Sequence, residues 1–93
     1  MNKELVNVME EIVTTLVTVT MLSPDYQTFC QCGKCRNDIM ALSLNTLPSH
    51  YVTTEEGRKL VFEQLNTIEN RKWINKRIIS AIHTVGKFPM HDR

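Results

Sequence analysis

Leu5, Met9, Ile12, Leu16 and Val19 recur at spacings of four, three, four and three, which places them on one helical face. The intervening chemistry pulls the other way. From Ile12 to Thr20 every residue except Leu16 is β-branched, a composition that favours strand. Strict alternation fails at the adjacent pairs Ile12–Val13 and Leu16–Val17, and no turn residue divides the run. The pattern therefore predicts one helix from Asn2, as N-cap, to about Leu22, ended before Pro24.

Residues 23–36 have no period and read as irregular. Asn37 suits an N-cap and Asp38 the positive end of a helix dipole. The following Ile39, Met40, Ala41, Leu42 and Leu44 are apolar on nearly every side, which predicts a short central helix that Pro48 stops near Leu47. Residues 48–52 are expected to be extended. Thr53 and Glu56 form a capping box for the next helix, whose apolar positions are Leu60, Val61, Leu65 and Ile68. A second stripe, Ile74, Ile78, Ala81, Ile82 and Val85, is out of phase with the first across residues 70–72. One bent helix or two helices satisfy it equally. Gly86 occupies a C′ position and Pro89 follows. The expected fold is all-α, a single domain over residues 1–93 with three to four helices.

Composition narrows what such a domain can do. The chain has 93 residues, 42% of them hydrophobic, so its core is small and a metal, disulfide or partner subunit is expected to support it. A net charge of +1 argues against bulk attraction to long nucleic acid or to an acidic membrane. The longest charge-free run, Ile12 to Pro24, contains four threonines and is too short to span a bilayer. The opening Met1-Asn2-Lys3-Glu4 is unlike a secretory signal, so the expected setting is cytoplasmic with reduced cysteines.

All three cysteines, Cys30, Cys32 and Cys35, fall within six residues as C-x-C-x-x-C. Buried thiols placed by chance rarely cluster so tightly. An odd count in a reducing compartment disfavours a disulfide, and a redox C-x-x-C expects a βαβ setting that this pattern lacks. The spacing suits structural zinc, with Gly33 at the knuckle turn and Lys34 and Arg36 offsetting thiolate charge. A fourth ligand must then come from His50, His83 or His91. His91 is favoured, since it lies in the tail beyond Pro89 where the chain can turn back.

The block from Cys30 to Thr54 resembles the late-competence ComFB family. The shared pattern is the C-x-C-x-x-C knuckle, then Asp38, Ala41-Leu42-Ser43-Leu44-Asn45, and Pro48-x-x-Tyr51-Val52-Thr53. This resemblance implies a zinc-stabilised helical homodimer without catalytic activity. It also implies a receptor for a cyclic dinucleotide, cyclic di-GMP or cyclic di-AMP, linked to competence, pili or motility. On that resemblance Arg36, Asp38, Asn45, Pro48, Tyr51, Thr53 and Arg58 are the candidate ligand-binding residues. Each also has a plain structural reading: Asn45 and Pro48 can end a helix, and Tyr51 can pack. Competence-type members carry a fourth cysteine after the last helix, and here His91 stands in that region.

Arg71-Lys72-Trp73-Ile74-Asn75-Lys76-Arg77 holds four basic residues and the sole tryptophan. A solvated helix face is the commoner meaning. Stacking of a base on Trp73, with Arg71 or Arg77 on a phosphate, is the functional one. No nucleophile–base motif, H-E-x-x-H or phosphate loop is present, so an enzyme is not expected. Two further readings are a zinc-stabilised protein-interaction module of the competence system without a nucleotide ligand, and a single-stranded nucleic-acid binder, the latter disfavoured by the near-neutral charge.

Overall fold

The computed structural model describes residues 5–87. In chain order it contains strand β1 (Val6–Asn7), helix α1 (Val8–Met21), a 3-10 turn (Pro24–Tyr26), helix α2 (Gly33–Asn45), strand β2 (Tyr51–Val52), helix α3 (Glu55–Leu65) and helix α4 (Ile68–Lys87). The fold is helical, as expected, with one addition. β1 and β2 pair antiparallel, Val6 opposite Val52 and Asn7 opposite Tyr51.

Helix α1 forms despite its β-branched run because burial overrides propensity. Val8, Met9, Ile12, Val13, Val17 and Met21 are buried in the core. On the exposed face, the hydroxyls of Thr14 and Thr18 donate to the carbonyls of Glu10 and Thr14 at 2.8 and 2.9 Å, which satisfies them inside the helix. The helix starts later than predicted. Asn2 lies outside the described residues, and the N-cap is Asn7, whose side chain accepts from Met9 N at 3.2 Å. The same Asn7 oxygen accepts from His50 N at 2.8 Å, while Val8 N donates to the His50 carbonyl at 2.8 Å. These bonds fix the chain's beginning to its middle.

Helix α2 starts earlier than predicted. Cys32, rather than Asn37, is its N-cap, so Cys35 lies in the first turn and Asn37 well inside. A thiol is absent from the usual capping residues, which is why the pattern misplaced this start. For α3 the cap is Thr54, accepting from Gly57 N at 3.0 Å, one residue after the predicted Thr53.

Two helices, not one, cover residues 55–87. They part at Asn66–Thr67, before the phase change at 70–72. There Thr67 Oγ1 accepts from Asn70 N at 3.1 Å, and Asn70 Nδ2 donates to the Gln64 carbonyl at 3.1 Å. Gly86 is not a C′ residue. It sits inside α4, and no glycine among the described residues has a positive φ. Its reason is space: a Cβ there would lie 2.6 Å from the Phe29 ring. The buried face of α4, Ile74, Ile78, Ala81, Ile82 and Val85, matches the predicted stripe and packs with α1 and with Cys35 and Ile39 of α2.

Candidate metal centre and ligand groove

The three thiols converge. The sulfur atoms of Cys30, Cys32 and Cys35 all lie within 4.8 Å of one another. Tetrahedral zinc with Zn–S bonds near 2.3 Å sets its sulfurs about 3.8 Å apart, so the cluster matches three corners of such a site with little adjustment. Two local devices build it. Cys32 caps α2, accepting from Cys35 N at 3.4 Å. Gln31 Nε2 donates to the carbonyls of Met21 and Tyr26 at 2.9 and 3.1 Å, which ties the cysteine segment to the end of α1.

The thiols differ in character. The amide N–H of Cys35 and the neighbouring Cys30 thiol hold Cys32 below the usual thiol range. Burial, followed by the hydrogen bonds its S–H donates to the other two cysteines, pushes Cys35 up to about 12. A buried thiol of this kind is a poor thiolate alone and a good ligand once a cation supplies the compensating charge. Cys30 and Cys32 are exposed. The three cysteines can therefore hold a metal ion.

Neither His50 nor His83 joins the cluster. His50 serves the Asn7 clasp through its backbone. The His83 ring packs edge-on against Phe29 and Tyr26, with centroids 5.6 and 6.0 Å away, next to the cysteine segment. His91 lies outside the described residues. Gly33, read as a turn glycine, is the first residue of α2 with ordinary helical backbone and open space around it.

The remaining candidate residues fall in separate places. Asp38 and Asn45, one on the second turn of α2 and one at its end, line a cavity of about 440 Å³ with Lys34, Ala41, Leu42, Thr84 and Val85. Lys34 Nζ pairs with Asp38 at 2.8 Å. A second cavity of about 210 Å³ shares Leu42 and Thr84 with the first and adds Thr46, Arg77, Ser80 and Ala81. The two form one groove between α2 and α4, and Arg77 at its far end lies over the Trp73 ring at 5.9 Å. Arg77, Thr46, Ser80 and Thr84 were missed as groove residues. The signal for Arg77 was present in the basic tract, but nothing in the spacing placed that tract beside α2.

Arg36 is elsewhere, donating to Thr18 Oγ1 of α1 at 3.2 Å. Tyr51 is exposed on the ribbon and, with Leu5, Val6, Asn7 and Glu10, borders a separate cavity. Pro48 and Thr53 flank that ribbon in sequence. Arg58 is held between carboxylates, 2.7 Å from Glu55 and 2.9 Å from Glu11. The structure thus brings Asp38 and Asn45 together and leaves the other five apart from them.

Among the described residues no helix is long and apolar enough to cross a membrane. Comparison with known proteins adds identity to geometry. The family profile of late competence development protein ComFB matches residues 6–89. A solved structure of the late competence protein ComFB from Bacillus subtilis superposes with a TM-score of 0.74 at 27% identity, covering 91% of each chain. A comparison with curated proteins found no match.

Proposed function

This chain belongs to the late competence development protein ComFB family, and from that premise we propose that it is a cytoplasmic, zinc-stabilised, non-enzymatic receptor for a cyclic dinucleotide. The observation that carries the ligand reading is the α2–α4 groove. It gathers Asp38 and Asn45, the two resemblance residues that converge, with a cation at each end, Lys34 and Arg77. Such a ligand has two phosphates and two base edges. Guanidinium and ammonium groups suit the phosphates, and the amide of Asn45 with the hydroxyls of Thr46, Ser80 and Thr84 suits the base edges. Arg77 lies over the Trp73 ring, which supports its guanidinium beside the groove.

Zinc is the metal that three clustered thiolates select in a small helical domain. His91 is the proposed fourth ligand. With four positions filled the ion has no open site, so its role is structural. Self-association is part of the same reading. Leu5, Val6 and Tyr51 stay exposed around the ribbon cavity, and a second copy placed there would cover them.

Calorimetry on the full, zinc-loaded chain with cyclic di-GMP, cyclic di-AMP and their linear forms tests the proposal. Binding of at least one cyclic form is expected, weakened at least tenfold by Asn45→Ala and by Arg77→Ala. No heat with either cyclic ligand at about 100 µM overturns the receptor reading. Steeply salt-dependent binding of long single-stranded DNA would instead favour a nucleic-acid role.

A further inference from the structure

A different groove runs between α1 and the first half of α4. Ile68, Arg71, Lys72 and Asn75 fall at i, i+3, i+4 and i+7, so they form one stripe of α4. With Leu16 of α1 they line a cavity of about 340 Å³. Two features set this stripe apart from an ordinary solvated face. Ile68 is 71% exposed, more than any other large hydrophobic residue among those described. Arg71 and Lys72 border the cavity with no ion-pair partner among the described residues.

We propose that this groove docks a short acidic, apolar segment of a partner protein. An apolar side chain seats on Leu16 and Ile68. A carboxylate meets Arg71 and Lys72. The two demands select the occupant by chemistry. Nucleic-acid phosphates would satisfy the cations but leave the apolar floor of Leu16 and Ile68 unserved. A second copy docked here across a two-fold axis would set Arg71 and Lys72 against their own counterparts, which like charges oppose.

The test uses the full, zinc-loaded chain labelled with nitrogen-15. The probe is a synthetic 15-residue peptide with Leu at i, i+3, i+4 and i+7 and Glu between. The controls are the same peptide with Lys for Glu, and a dT15 oligonucleotide. The Glu peptide is expected to shift the amides of Leu16, Ile68, Arg71 and Asn75, and the Lys peptide to leave them unmoved. Arg71→Glu with Lys72→Glu, both at the surface, should raise the peptide Kd at least tenfold. Ile68→Ser, at an exposed position, should weaken it as well while leaving Tm unchanged. Three results would overturn the proposal: no localised shifts at millimolar Glu peptide, equal shifts with dT15, or loss of a dimer on Ile68→Asp.

Discussion

The two ends of α1 are fastened by different chemistry. At its start, Asn7 bonds both Met9 and His50, β1 pairs with β2, and Arg58 joins Glu11 to Glu55. Every partner there is a protein atom. At its finish, the chain passes through Tyr26, Phe29 and three clustered thiols before reaching α2 and the end of α4. Two of those thiols are exposed, and the third is buried in its neutral form. The first end is complete with the chain alone. The second gathers three thiols that can hold a metal ion. The contrast teaches that stability in so small a domain is divided between an intrinsic clasp and a conditional one.

The sharpest way to break the contrast is to remove the conditional side. Structural zinc contributes on the order of 10 kcal/mol of apparent binding energy in small peptides at neutral pH. Cys35→Ser, or a strong chelator, is therefore expected to abolish cooperative unfolding near room temperature, as read by circular dichroism. An unchanged Tm would show that the aromatic contacts suffice. Next is the intrinsic clasp. Asn7→Ala removes an N-cap and the acceptor for His50 N–H, an expected loss of about 2 kcal/mol. Denaturant titration checks it, and metal content should stay the same.

Gly86→Ala probes the joint between α4 and the cysteine segment. Helix propensity favours alanine by about 1 kcal/mol. Overpacking against the Phe29 ring, packed on Tyr26 and His83, should exceed that, for a net loss of about 1 kcal/mol. Because Phe29 precedes Cys30, zinc affinity should fall as well, which competition with a chromogenic chelator would reveal.

The smallest effect is electrostatic. The hydrogen bond from Arg58 holds the Glu55 carboxyl below its ordinary value of 4.5. A depressed carboxylate adds stability above that ordinary value and loses it as pH falls through the folded value. Arg58→Met should therefore lower Tm slightly at neutral pH and leave it unchanged in strong acid, the pair being exposed to solvent and screened. Tm measured across that range for both proteins decides it.

How much of this was legible in the residues depended on distance along the chain. For α1 the period predicted a helix but the wrong face. Of the stripe only Met9 and Ile12 are buried, and Leu5 and Val19 stay exposed. Val8, Val13, Val17 and Met21 are buried instead, the adjacent apolar pairs leaving the rotation of the helix open. The stripe of α4 predicted its buried face, because the helical period is local. The C-x-C-x-x-C spacing predicted the sulfur cluster for the same reason. The start of α2 was misread because its cap is a thiol and not an oxygen. The Asn7 cap was missed because its value comes from His50, 43 residues away. The seven ligand candidates were adjacent in sequence or linked by resemblance, yet α2 turns Arg36 toward Thr18 and Asp38 toward Thr84, on different faces. Ile68 had no legible signal as a surface residue: it closed the apolar stripe of the preceding helix, yet it opens α4 and is 71% exposed.

The Asn7–His50 bond has a consequence in time as well as in energy. It closes a loop of 43 residues, and the Arg58–Glu11 pair one of 47, whereas the cysteine cluster spans six positions of the chain. Closing long loops costs more chain entropy, and contacts distant in sequence slow folding. The three thiols can thus come together while most of the chain is still unfolded, ahead of the clasp that joins the start of α1 to His50.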